Sequence, residues 1–126
     1  MKYLGVDFGL KRIGLSVSEG QFASPLKIIT VSGLEDSVNK IIREAGEFGV
    51  DKLIVGMPES STGKAAKRFV ENLKRKGLNV ETTDETLSTK QALKLMIEMG
   101  IPKKKRKVED CQAAAIILQN YLDSKV

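Results

Sequence analysis

Histidine is absent from the chain, cysteine occurs once, at Cys111, and aromatic residues make up only 5% of its 126 residues. The first two scarcities exclude Ser-His-Asp and Cys-His triads, HExxH zinc proteases and zinc fingers together. Chemistry must fall to carboxylates, hydroxyls, amines or a metal held by oxygen. The aromatic residues Phe8, Phe22, Phe48, Phe69, Tyr3 and Tyr121 are scattered, without the aromatic and basic interleaving of a base-stacking platform. Recognition of any nucleic acid should therefore rest on phosphate contacts. No run approaches the roughly 18 apolar residues of a membrane span, and the opening meets the carboxylate of Asp7 too early for a signal peptide. A cytoplasmic protein with no membrane partner is expected.

What is present reads as one globular domain over residues 1–126, with 41% hydrophobic and 29% charged residues. The net charge is +5, and five positive charges sit in one run, Lys103, Lys104, Lys105, Arg106 and Lys107. Without that run the chain is electrically balanced. The surplus points to a local anionic partner, with a solvated loop as the plain alternative. Residues 102–108 also match a nuclear import signal, which is little more than a basic run; nothing else points to a nucleus, so the match is taken as coincidence.

Residues 2–7 alternate as a strand, with Leu4, Val6 and Phe8 on one side and Tyr3, Gly5 and Asp7 on the other. A turn around Gly9 and Leu10 leads to a second strand over residues 12–18. Gly20 and Pro25 break the next stretch, and a third strand is expected over residues 26–31. Such closely spaced strands form an antiparallel meander. Leu34, Val38, Ile41, Ile42, Ala45 and Phe48 then fall at helical spacing, with Ser32 and Glu35 as a capping box and Gly49 as the stop. The apolar run of residues 52–57 reads as a central strand. A basic amphipathic helix over residues 64–76, a strand over 78–83, a helix from Ser88 to Gly100 and a last helix from near Val108 complete the order βββαβαβαα. The expectation is an α/β mixed five-stranded sheet with helices on its faces.

Ligands of open α/β sheets collect beyond the carboxyl ends of strands. That rule selects Asp7 after the first strand, Glu59 after the fourth, Asp84 and Glu85 after the fifth, and Asp110 in the first turn of the last helix. A carboxylate in the middle of Leu4-Gly5-Val6-Asp7-Phe8-Gly9 is costly unless paired or metal-bound, although an Asp before a turn is common. Asp84 and Glu85 are adjacent, so only one of them is expected to enter a site. Asp110 alone would be an ordinary partner of the helix dipole. Three acids converging from separate segments would instead form an all-oxygen cage suited to Mg²⁺ or Mn²⁺ and to activating water against a phosphodiester. Cys111, in an alanine-rich helix start, reads as a small packed residue. The letters Asp-Phe-Gly spell a kinase motif, but no Gly-rich loop precedes them.

The blocks Leu4-Gly5-Val6-Asp7-Phe8-Gly9-Leu10-Lys11-Arg12-Ile13-Gly14-Leu15-Ser16-Val17-Ser18, Ser24-Pro25-Leu26, Ile54-Val55-Gly56-Met57-Pro58, Asp84-Glu85-Thr86-Leu87-Ser88-Thr89 and Glu109-Asp110-Cys111-Gln112-Ala113-Ala114-Ala115 together resemble the YqgF (RuvX) family. This is the family of Holliday junction resolvases or pre-16S rRNA nucleases. The resemblance covers nearly the whole chain in the right order. It implies an RNase H-like fold and a metal-dependent nuclease of structured nucleic acid, with Asp7, Glu85 and Asp110 as catalytic acids and metal ligands. Asp84 and Glu59 stand in a second tier. Lys11 and Arg12 match the family and would hold phosphates beside the scissile bond. Thr86 stands where the family usually has Arg, so one phosphate contact is missing or supplied by Lys90. The loop after Pro58 begins Glu59-Ser60-Ser61 where the family often has an Asn-containing segment.

The leading expectation is a nuclease acting in 5′-end maturation of pre-16S rRNA, with Mg²⁺ or Mn²⁺ as cofactor. Lys11, Arg12 and the run Lys103, Lys104, Lys105, Arg106 and Lys107 would grip structured RNA. Alternatives are resolution of branched DNA, which needs two active sites and so favours a homodimer over a monomer, and a non-catalytic nucleic-acid-binding module. An actin-like or sugar-kinase fragment shares the Gly-x-Asp-x-Gly start but binds nucleotide between two such domains.

Overall fold

A computed structural model describes residues 1–57, 63–84, 100 and 110–124. Its elements are β1 (Tyr3–Asp7), β2 (Arg12–Ser18), β3 (Ala23–Thr30), α1 (Leu34–Phe48), β4 (Lys52–Met57), α2 (Gly63–Arg75), β5 (Val80–Asp84) and α3 (Asp110–Asp123). The helix expected from Ser88, the loop holding Glu59, and the basic run lie outside the described residues.

The five strands form one sheet in the order β3-β2-β1-β4-β5. The meander pairs antiparallel, while β1 with β4 and β4 with β5 run parallel, as two crossover units require. β1 is thus the middle strand, and its alternation is buried on both faces. Leu4, Val6 and Phe8 join Leu53, Val55 and Val80 in a core closed by Val38 and Ile41 of α1 and by Ala66, Phe69 and Leu73 of α2. On the other face Ile54 packs with Ile117, Leu118, Tyr121 and Leu122 of α3, with Tyr3 against them.

Beyond shifts of a residue, the start of β3, the start of β5 and the cap of α1 differ from expectation, each for a physical reason. β3 starts at Ala23 and passes through Pro25, which the sequence suggested as a breaker. β3 is an edge strand, so a residue without an N–H is tolerated there, and the pairing slips at this point: Leu15 faces Lys27 while Ser16 faces Pro25, leaving Leu26 as the extra residue of a bulge. β5 starts at Val80 because Leu78 is engaged in closing α2: its N–H donates to Leu73 O at 3.2 Å across Gly77, whose φ is 88°. The start of α1 is capped by Gly33, with no side-chain cap bond, in place of the Ser32–Glu35 box. Asp36 acts instead, accepting from the Ser32 N–H at 2.9 Å, and that bond holds its carboxyl below the ordinary value of 3.8. At the other end Gly49 adopts the left-handed conformation and Val50 N–H closes on Ala45 O at 3.1 Å.

Candidate active site

Because β1, β4 and β5 are parallel, their carboxyl ends share one edge. At that edge Asp7 is in register with Gly56 of β4 and Gly14 of β2, and Asp84 with Met57. Asp7 is half-buried. Glycine in register on both sides means that neither β2 nor β4 places a side chain beside its carboxylate at that level.

The second component is α3, whose direction is fixed by three contacts. Tyr121 packs edge-on against Tyr3, with ring centroids 5.8 Å apart. One turn earlier, Leu118 lies over Gly5; a further turn earlier, Ala114 O accepts a 2.7 Å bond from the buried Ser16 hydroxyl. As β1 runs from Tyr3 through Gly5 to Asp7, α3 therefore runs the opposite way, from Tyr121 through Leu118 and Ala114 to Asp110. Asp110 begins the helix about 6 Å along its axis from Ala114; Asp7 lies about 6.6 Å along the strand from Gly5. The backbone of Asp110 thus reaches the edge where β1 ends, bringing the positive end of the helix dipole with it.

Gly5 makes this seating possible. A Cβ there would meet Ser16 Oγ, and would stand 2.8 Å from Leu118 Cβ and 2.9 Å from Ala114 O. The far end of α3 is tied down separately. Gln119 accepts from the Ala23 N–H at 2.9 Å and donates to Gln21 O at 3.0 Å. Lys52 donates to Glu81 at 2.6 Å and to the Tyr121 hydroxyl at 3.4 Å, and the Glu81 carboxylate raises the Lys52 pKa above its usual 10.5.

Lys11, in the turn that follows Asp7, and Arg12, which opens β2, are both exposed. That turn is pinned by Val31 N–H donating to Lys11 O at 2.9 Å, and it closes so tightly that a Cβ on Gly9 would strike the Arg12 carbonyl. Asp84 is placed by its backbone at the end of β5, two strands from Asp7. Glu85, Glu59 and the five cations Lys103, Lys104, Lys105, Arg106 and Lys107 lie outside the described residues, as does the side chain of Asp110. Among the described residues no three potential metal ligands cluster. Cys111 is a free, half-exposed thiol, less packed than its sequence context suggests. Sequence reasoning missed the supporting glycines and Ser16; the available signal was Gly5, two positions before Asp7 on the same strand face.

The family model for RuvX, Holliday junction resolvase, matches residues 1–124. The chain belongs to the RuvX family. Among its RuvX-family relatives, it is 37% identical to a protein of Desulforamulus reducens, with 98% of both chains covered, and 39% identical to one of Acetivibrio thermocellus, with 99% and 97% covered. Both are named as pre-16S rRNA nucleases. In structure this RuvX-family chain is similar to Thermus thermophilus RuvC in complex with a Holliday junction, with a TM-score of 0.61, 17% identity and coverage of 99% and 95%. It is also similar to the fowlpox virus resolvase in complex with Holliday junction DNA, with a TM-score of 0.65, 14% identity and coverage of 100% and 99%. At these identities the likeness shows the fold, which is the RNase H-like fold of the RuvC nucleases. No helix among the described residues is long and apolar enough to cross a membrane.

Proposed function

We propose that the chain is a divalent-metal-dependent nuclease of structured RNA, acting in 5′-end processing of pre-16S rRNA, with Asp7, Glu85 and Asp110 as its catalytic acids. The observation that carries this reading is the antiparallel seating of α3 on β1 through Gly5, which brings the start of α3 to the end of the strand that carries Asp7. Family membership and relatives named as pre-16S rRNA nucleases support the same activity and substrate.

The donor chemistry fits a hard cation. Asp7 is a half-buried carboxylate with glycine in register on both neighbouring strands, and Mg²⁺ and Mn²⁺ prefer oxygen ligands. Asp7, Glu85 and Asp110 would hold the ion, with Asp84 and Glu59 as further candidates. When bound, such an ion supplies the positive charge that acidifies water and stabilises a leaving oxygen. The rest falls to side chains of this chain. Lys11 and Arg12, exposed where the rigid turn after Asp7 enters β2, hold the phosphates flanking the scissile bond. The first-turn dipole of α3 favours the anionic backbone at the same edge. Lys103, Lys104, Lys105, Arg106 and Lys107 extend the grip along the strand. The working unit is one domain, cytoplasmic, with no membrane partner.

Resolution of branched DNA is the second reading, supported by the family description and by the shared fold with RuvC and the fowlpox resolvase. Paired symmetric nicks need two active sites, so this reading requires a homodimer. Cleavage of a pre-16S leader fragment and of a four-way junction, in parallel with the mass of the protein in solution, separates the two. Faster cutting of the leader by a monomer supports the RNA reading; symmetric junction nicking by a dimer, with the leader left intact, overturns it.

A further inference from the structure

On the side of β1 away from α3, the turn after Asp7 meets the first turns of α1 and α2. Together they enclose a cavity of about 130 Å³ lined by Phe8, Leu10, Leu34, Ser37, Ala65 and Arg68. Its floor is rigid: Phe8 is only 6% exposed and its ring lies 4.7 Å from that of Phe69. Its rim is conspicuously apolar for a surface, because Leu10 is 59% and Leu34 37% exposed. Arg68 of α2 lines that rim, the exposed Lys64 stands one helical turn before it on the same face, and the first turn of this helix holds no acid. The cavity begins at Phe8, the residue next to Asp7.

An apolar slot the size of one planar heterocycle, bordered by cations and adjoining the edge where a phosphodiester would be cut, matches the two halves of a nucleotide. We propose that this cavity accepts one unpaired nucleobase of the RNA strand being cleaved, while Arg68 and Lys64 hold the phosphate attached to it. The base would lie on an apolar floor, and the backbone would cross from the cations of α2 to Lys11 and Arg12. This adds a base contact to a recognition mode that the scattered aromatics of the sequence suggested was phosphate alone. A partner protein's apolar side chain could fill the slot but would have no use for the flanking cations. The proposal rests on the nuclease reading and specifies which feature of the substrate that site reads: an unpaired residue beside the cut.

The test uses the full chain carrying Asp7→Asn, in Mg²⁺, so that binding is read without cleavage. The probes are an RNA hairpin with one bulged 2-aminopurine and the same hairpin with an abasic residue in its place. Burial of one base predicts about tenfold tighter binding of the base-bearing hairpin, with a change in 2-aminopurine fluorescence. Ala65→Leu, which fills the slot, and Leu10→Ser, at an exposed position where folding is not at stake, should each erase that preference while leaving affinity for the abasic hairpin unchanged. Equal affinity for the two hairpins, or a preference that survives both variants, overturns the pocket and leaves the nuclease reading standing. A folded protein that binds neither hairpin overturns both.

Discussion

Replacing Gly5 with alanine adds one methyl group where α3 lies closest to the sheet, and the consequences can be worked out. The new Cβ would stand 2.8 Å from Leu118 Cβ, where carbon atoms need about 3.5–4.0 Å, and 2.9 Å from Ala114 O. Neither of those atoms can rotate away, since both are fixed by the helix backbone. α3 must therefore retreat by about 1 Å. The Ser16 hydroxyl can turn aside only by abandoning its buried 2.7 Å bond to Ala114 O. Overpacking and the lost buried bond together predict a loss of about 3 kcal/mol in unfolding free energy, read by urea denaturation. Since the start of α3 moves relative to Asp7, single-turnover cleavage should fall by about 100-fold in the fraction that remains folded. Gly46→Ala is the control. It lies on α1 with no described residue outside its own helix within 4 Å of a new Cβ, and should gain about 0.5–1 kcal/mol with cleavage unchanged. If Gly5→Ala unfolds within about 0.5 kcal/mol of the wild type and cleaves at full rate, the argument that this contact sets the position of α3 is wrong.

Three further perturbations reach other parts of the molecule. Lys27 bonds the mostly buried Glu44 at 2.8 Å, and Glu44 Oε2 is buried with no hydrogen-bond partner among the described residues. Lys27→Met should cost about 1–3 kcal/mol by leaving the carboxylate alone, and adding Glu44→Leu should recover most of it, a double-mutant cycle read by denaturation. Asp36 has a folded pKa below 3.8 owing to the Ser32 N–H, so the folded state binds fewer protons and the stabilisation is present above 3.8 and lost as pH falls through the folded value. The Tm gap between wild type and Asp36→Asn should hold at neutral pH and shrink in acid; a gap that widens in acid contradicts the sign. Changing Lys103, Lys104, Lys105, Arg106 and Lys107 to Gln should weaken RNA binding and reduce the log–log salt slope by up to about four. An unchanged slope would make the run a solvated loop.

Much of the fold is legible where a single local signal suffices. β4 carries the bounds read from its apolar run, β2 those read from its alternation, and Gly49 stops α1 as expected. The misses come from information that local pattern does not hold. Pro25 reads as a breaker until β3 is known to be an edge, and Leu78 reads as strand until its N–H is seen closing α2. The site divides in the same way. Asp7 could be selected as a carboxylate at a strand end, but the bond that seats α3 joins Ser16 to a residue 98 positions away, and no period in the sequence encodes it. The same holds for the pairing of Asp7 with Gly14 and Gly56, which lie on three separate strands that meet only in the sheet.

The proposed nuclease needs the carboxylate at the end of β1 as part of a metal-dependent phosphodiester-cleaving site. That requirement is tested most directly by cleavage of a pre-16S leader fragment at graded Mg²⁺, comparing wild type with Asp7→Asn. The wild type should cut only with the metal, and the variant should lose at least about 100-fold in rate with RNA binding and Tm retained. Cleavage by Asp7→Asn at the wild-type rate and with the same metal dependence would contradict it.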